Sequence, residues 1–280
     1  MQDGADTPQK AIGPCEVETI WGQQSHETIT SSYDDGGNVV TESIDEKSDG
    51  EPDQIITRTY SDKGLLSTFS RDDGADGIAN YRVLYGYNAN GWLLTEEIDR
   101  NADDVVDGRK TYEYDGEGKI RKMSYDAQGN DEIDYWIEYV YDDQENLVAQ
   151  EVYTKGGSTP DEVHTYQYDS EGNLVEEREE RTAGETDQVF ETVYVYNDQG
   201  QLVTEAIDYA GDGDVDIIIW YTYTQGQLAT KSVDKGVDGI IDELRTFTYD
   251  ASGNLVSESL DRDADGSIEI SVEYDFSCWQ

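Results

Sequence analysis

One phrase recurs nine times along the chain at an interval of about 27 residues. Tyr-Asp-x-x-Gly-Asn-Leu and its variants begin at Tyr33, Tyr60, Tyr87, Tyr114, Tyr141, Tyr168, Tyr196, Tyr223 and Tyr249. A period of that regularity marks a repeat architecture, in which each copy is one supersecondary unit that buries its faces only against its neighbours. The phrase also carries a turn mechanism. In Tyr249–Leu255, Asp250 caps a type I turn and Gly253 supplies the left-handed residue that follows it. The resulting hairpin pairs Asp250 with Asn254 and sets Tyr249 opposite Leu255.

Two columns follow from that geometry. The position after Asn is aliphatic in all nine units: Val39, Leu66, Leu93, Ile120, Leu147, Leu174, Leu202, Leu228 and Leu255. Two residues before each phrase tyrosine, on the same face, lies a second aromatic column of Tyr85, Tyr112, Tyr139, Tyr166, Tyr194, Tyr221, Phe247 and Tyr274. Cross-strand aromatic–aliphatic pairs contribute roughly 0.2–1 kcal/mol each, and only their sum over many units sustains a sheet. The other face of each outgoing strand is read as Val40, Leu94, Val148, Val203 and Val256, then Ile44, Ile98, Val152, Ile207, Val233 and Leu260. Glu42, Glu96, Glu205 and Glu258 lie between them. Apolar area on both faces predicts a sheet that coils or is partly covered rather than a flat ribbon.

The Tyr-x-Tyr-Asp-x-x-Gly-Asn-Leu run of Tyr166–Leu174, echoed in Phe247–Leu255, resembles the YD repeat of RHS proteins over about residues 28–276. The resemblance implies a long spiralling sheet of hairpins, often a hollow shell around a toxin or a surface-exposed scaffold. These units are longer, with an acidic insertion, and no toxin domain follows them here. The expected fold is therefore all-β: nine tandem antiparallel hairpins forming one long coiled or spiralling sheet. Residues 1–14 are expected to be a disordered tail and 15–280 a single repeat domain. Within it, a degenerate cap spans about 15–32, the repeats about 33–276 and a second cap 277–280.

A second phrase, Asp-x-x-x-Asp-Gly-x-x-Asp, falls at the opposite end of each hairpin. In Asp261, Asp263, Asp265, Gly266 and Glu269 it matches five positions of a calcium loop, with Val272 where the last glutamate would stand. Related sets are Asp45, Asp49 and Asp53; Asp72, Asp76 and Asn80; Asp99, Asn101, Asp103 and Asp107; and Asp126, Asn130 and Asp134. Asp208, Asp212 and Asp216, with Asp234, Asp238 and Asp242, complete the series, which is lost at 153–161 and 180–188. Two readings stand: aspartates that merely build solvated loops, or weak calcium sites of hard carboxylate oxygens.

The chain holds 64 acidic and 19 basic residues, a formal charge of −45. Repulsion on that scale excludes the nucleic-acid backbone and anionic membranes as electrostatic partners, and favours cations or basic protein surfaces. No apolar run is long enough to span a bilayer. His26 and His164 have no nucleophile in register, and His164 occupies a strand position filled elsewhere by Ile56, Val83, Ile137 and Ile219. No phosphate loop or zinc spacing occurs, so no enzyme is expected. Trp21 and Trp279 read as cap residues, and Trp92 and Trp220 as exposed aromatics that would hold a glycan.

Cys15 and Cys278 sit in the first and last units. A straight stack of nine hairpins would part its ends by roughly 85 Å, against the ~7 Å a disulfide allows. Closure of the sheet, head-to-tail linkage between molecules and free thiols all remain open. The function expected is a secreted or cell-surface scaffold for adhesion or structure, with weakly bound calcium. A carbohydrate-binding module, and a shell or immunity component of a toxin system, are the alternatives.

Overall fold

A computed structural model describes residues 14–21, 24–182 and 188–276. The described residues form strands without a helix. The first ten are β1 (Glu16–Trp21), β2 (Gln24–Tyr33), β3 (Val39–Asp45), β4 (Gln54–Tyr60), β5 (Leu66–Asp73), β6 (Tyr81–Tyr87), β7 (Leu93–Asp99), β8 (Gly108–Tyr114), β9 (Ile120–Asp126) and β10 (Tyr135–Tyr141). The rest are β11 (Leu147–Thr154), β12 (Glu162–Tyr168), β13 (Leu174–Arg181), β14 (Gln188–Tyr196), β15 (Leu202–Asp208), β16 (Ile217–Thr224), β17 (Gln227–Lys235), β18 (Glu243–Tyr249), β19 (Leu255–Asp261) and β20 (Ile270–Asp275). Every strand pairs antiparallel with its sequence neighbours, and β1 also pairs with β20. The sheet is therefore a closed barrel of 20 strands. At ~4.8 Å per strand it is roughly 30 Å across, and wider if the strands tilt. Its surface is 17253 Å², where a compact chain of this mass would expose roughly 12,000 Å². The ring is hollow.

The expected turn is present in eight of the nine copies; in the shortened one Thr224 pairs with Gln227 about a two-residue turn in which Gln225 and Gly226 are both left-handed. Tyr249 pairs with Leu255, Asp250 N–H donates to the Asn254 carbonyl at 2.9 Å, and Gly253 has φ +87°. One residue beyond, every hairpin carries a β-bulge. Tyr249 pairs with Leu255 but Thr248 with Ser257, so Val256 is the extra residue; Val40, Leu94, Val148 and Val203 take the same place in theirs.

The bulge overturns the expected face assignment, because one inserted residue inverts the alternation that follows. Glu96 lies directly opposite Tyr85 and Ile98 opposite Val83. The glutamates and the Ile98 row thus share the face of the aromatic columns. The Ile98 row and the residues opposite it supply most of the covered core: Val83, Ile98, Ile219 and Leu260 are each less than a tenth exposed, as is Met123 in the glutamate row, opposite Tyr112. The opposite face mixes charged side chains, among them Arg82, Glu97, Glu113, Lys122 and Glu138, with the exposed aliphatics Leu84, Val140 and Val195 and with Trp136 against Tyr153.

Adjacent hairpins touch unevenly. Between β3 and β4 only Thr41–Ile44 pair with Gln54–Thr57, after which the backbones part toward the turns. Phrase tyrosines bridge the gap. Tyr60 donates its hydroxyl to the Val39 carbonyl at 2.8 Å, Tyr87 to Leu66 at 2.9 Å, Tyr141 to Ile120 at 3.0 Å and Tyr168 to Leu147 at 2.9 Å.

Residues 15–32, expected as a degenerate cap, supply β1 and most of β2. With β20 entering and β1 leaving, the two chain ends make a tenth, split hairpin. Pro14 takes the aliphatic-column position, accepting the Tyr33 hydroxyl at 2.6 Å. Cys15 takes the bulge position, with its N–H on the Asp275 carbonyl at 2.8 Å. Cys15 is buried and disulfide-bonded; Cys278, Trp279 and most of the expected tail lie outside the described residues.

Candidate functional site

The acidic phrases all lie on one rim, as the loops between hairpins. The first aspartate of each ends an outgoing strand with its side chain turned back under the loop. Asp234 is 1% exposed. Its carboxylate accepts the N–H groups of Asp238 at 3.2 Å and Gly239 at 2.9 Å. Asp45, Asp72, Asp99, Asp126, Asp208 and Asp261 likewise accept amides four or five residues on. These contacts hold non-glycine residues left-handed at Ser48, Ala75, Ala102, Val237 and Ala264, a conformation that carries strain for L-residues. Backbone hydrogen bonds hold the carboxyl groups of Asp45, Asp126 and Asp208 below the usual range, against desolvation, the largest single influence.

The remaining acidic positions also bond backbone. Asp49, Asp76, Asp103, Asn130, Asp212, Asp238 and Asp265 accept the N–H two residues ahead. Asp53, Asn80, Asp107, Asp134, Asp216, Asp242 and Glu269 reach back to the N–H that follows the first aspartate. Neighbouring loops are joined in turn, Gly74 N–H to Asp53 O at 2.6 Å and Gly236 N–H to Asp216 O at 2.6 Å. Lys155 N–H to Asp134 O and Thr182 N–H to Asp161 O, each at 2.8 Å, join further described loops.

Of the sets named from the sequence, the structure converges one. Among the described residues, Asp261, Asp263 and Asp265 place carboxylate oxygens within 4.8 Å of one another, with Asp261 buried and the other two exposed. That is the set that best matches a calcium loop. The other sets make the same amide bonds as this one, and loop construction is the work the structure shows for them.

A second cluster was missed from the sequence. Glu162, His164 and Glu179 also bring ligand atoms within 4.8 Å of one another. His164 Nε2 is 2.6 Å from Glu162, and Arg181 is ion-paired to both Glu162 and Glu179. The signal was present: His164 replaces an aliphatic of the core row, in the hairpin flanked by both degenerate loops. β12 and β13 set His164 directly opposite Glu179, and that cross-strand pairing forms the cluster.

The aromatics expected to be exposed are occupied. Trp92 is half-buried, its ring 5.3 Å from that of Tyr114, and a Cβ on Gly118 would fall 2.6 Å from it. It packs one hairpin on the turn of the next rather than facing a ligand. Trp136 stacks on Tyr153 at 5.1 Å and 3°. Trp220 is half-buried between Thr204 and Ser232. The side chains of Trp21 and His26 lie outside the described residues.

No protein-family model matches this chain, and no curated protein matches it. The fold is similar to part of a chain in the crystal structure of TcdB2-TccC3-TEV, with a TM-score of 0.51 at 16% identity, covering 89% of this chain and 14% of that one. The TcdB2-TccC3-Cdc42 structure is similar at 0.51 and 15% identity, with the same coverage. A porin-like protein from Bacteroides uniformis matches 93% of this chain and 95% of its own, at 12% identity and a TM-score of 0.38. This chain spans about a seventh of the first two, and the likeness is one of fold.

Proposed function

We propose that the chain is a non-enzymatic structural scaffold of the extracellular or cell-surface type, a rigid hollow ring that presents loops at its rim for adhesion. The observation that carries this reading is the closure of the sheet by β1 on β20. Closure removes the strand edges through which hairpin arrays otherwise associate, and leaves the rims as the variable surface. A disulfide-bonded Cys15 fits an oxidising compartment. No helix among the described residues is long and apolar enough to cross a membrane. Charged side chains stand on both faces, Arg82 and Glu97 on one, Glu96 and Lys110 on the other, so neither offers the apolar band that a membrane barrel turns to lipid.

Displayed on a non-adherent bacterium, the ring should raise attachment to host cells and to a cationic coating. Attachment no better than that given by an unstructured acidic chain of equal charge would remove the adhesion reading. Calcium belongs to the proposal through the Asp261–Asp265 loop, and melting in calcium should exceed melting in chelator. Equal melting temperatures would end that part.

A second reading, a shell element of a toxin system, is favoured by the fold likeness to the TcdB2-TccC3 chains and by the YD-like phrase. It rests on analogy of fold. It requires a cytotoxic polypeptide that co-purifies with the ring and resists protease only in its presence.

A further inference from the structure

The acidic rim carries a second, apolar pattern. Ile78, Val105, Ile133, Val215, Ile240 and Ile268 are between 38% and 68% exposed. Each belongs to a different inter-hairpin loop, and each follows the bend of its acidic phrase by one or two residues. Large aliphatics scattered singly on a surface need no explanation. These recur at one of two adjacent positions, six or seven residues after the first aspartate, in loops held by carboxylate–amide bonds; Val237 adds a second exposed aliphatic to the Ile240 loop. Successive loops are two strands apart, so the side chains stand roughly 10 Å from one another around the rim. The loop at 155–161 has lost the acidic phrase and carries no aliphatic either; in the first loop Pro52 takes the position.

Charge selects the occupant. The rim aspartates Asp103, Asp212, Asp214 and Asp238 are exposed, and the whole chain stands at −45. A second copy of this ring would bring two strongly anionic rims together, and like charges in register oppose that contact. A cationic surface would be steered in and held close enough for its apolar side chains to meet the loop aliphatics. The geometry points to this rim as the docking surface for a basic protein partner that presents aliphatic side chains among its lysines and arginines. The inference rests on the scaffold reading and names the part of the ring that does the binding.

The test uses the full chain and two synthetic peptides of equal length and charge at physiological salt, one of lysine and leucine, the other of lysine and serine. Anisotropy titration should show the lysine–leucine peptide binding at least tenfold more tightly. Replacing the six aliphatics together by serine should bring its affinity down to that of the lysine–serine peptide. Serine at Leu84, Val140 and Val195, exposed aliphatics of the barrel wall, should leave the difference in place. Circular dichroism of both variants verifies that the ring persists. Equal affinity of the two peptides for the native chain would overturn the inference, as would retention of the difference in the six-fold variant. A leucine–glutamine peptide that bound as tightly as the lysine–leucine one would also overturn it, since charge would then select nothing. Because the measurement is made in solution, it fails or succeeds independently of the attachment assay.

Discussion

Tyr114 donates its hydroxyl to the carbonyl oxygen of Leu93 at 2.7 Å, across the point where two neighbouring hairpins have ceased to pair. The same bond recurs from one copy to the next, and it explains why the phrase requires tyrosine where phenylalanine would serve a purely apolar column. Tyr114→Phe keeps the ring and removes the bond. The expected loss is about 0.5–1.5 kcal/mol, read as a lower urea midpoint with an unchanged slope. A midpoint equal to that of the native chain would show that the hydroxyl contributes nothing.

The turn glycines separate two costs. Gly172 has φ +86° and open space where a Cβ would stand, whereas Gly118 has φ +95° and Trp92 at 2.6 Å from that point. Gly172→Ala should lose about 1 kcal/mol from the left-handed backbone alone. Gly118→Ala should lose more, because Trp92 must also move off Tyr114. Equal losses, measured by denaturant titration, would contradict the packing assigned to Trp92.

Asp234 carries a loop through two amide bonds from the most buried carboxylate on the rim. Asp234→Ala leaves the N–H groups of Asp238 and Gly239 without their acceptor, at a cost of about 1–3 kcal/mol. Amide exchange at those two positions should quicken even if the ring stays closed. Unchanged exchange would mean that the loop holds its shape without the aspartate.

Tyr166 and Tyr194 are pushed up to about 12, first by burial and then by the charge of Glu177. Burial and Glu96 push Tyr112 up as well. A raised phenol favours the neutral form in the folded ring. Its stabilisation is complete below the ordinary tyrosine value of about 10 and is lost as pH rises from there through about 12. The melting temperature should therefore fall steeply above pH 10, together with a rise in tyrosinate absorbance. Tyrosines that ionise at their ordinary value before any unfolding would exclude this coupling.

Closure gives a fifth expectation. A chain beginning at Gln24 lacks β1 and leaves β2 and β20 as open edges. Such edges pair with other chains, so light scattering should show self-association that the full chain does not. A monodisperse truncated monomer would mean that β1 is dispensable.

The hairpin was legible because its determinants are local. A left-handed residue at Gly253, an aspartate that caps the turn and a tyrosine opposite a leucine all lie within seven residues, and the chain repeats that phrase, with substitutions, in eight copies and a shortened ninth. The loop-building role of the acidic phrase was visible as one of two readings for the same reason. The bulge at Val256 was not visible, since a valine reads the same whether it faces outward or is the extra residue, and that single insertion moved Glu96, Glu258 and Ile98 to the aromatic face. Trp92 was placed in solvent because its partners, Tyr114 and Gly118, belong to the next hairpin. The cluster of Glu162, His164 and Glu179 likewise needed cross-strand register.

By itself, then, the sequence determined the unit and its period: where the chain turns, which residues pair across each hairpin, and that copies lie side by side. Only the tertiary structure decided that Pro14 and Cys15 complete a tenth hairpin with β20, and on which face each row stands. Turn chemistry acts over a few residues, whereas closure sums small twists over twenty strands, and no single residue carries that sum.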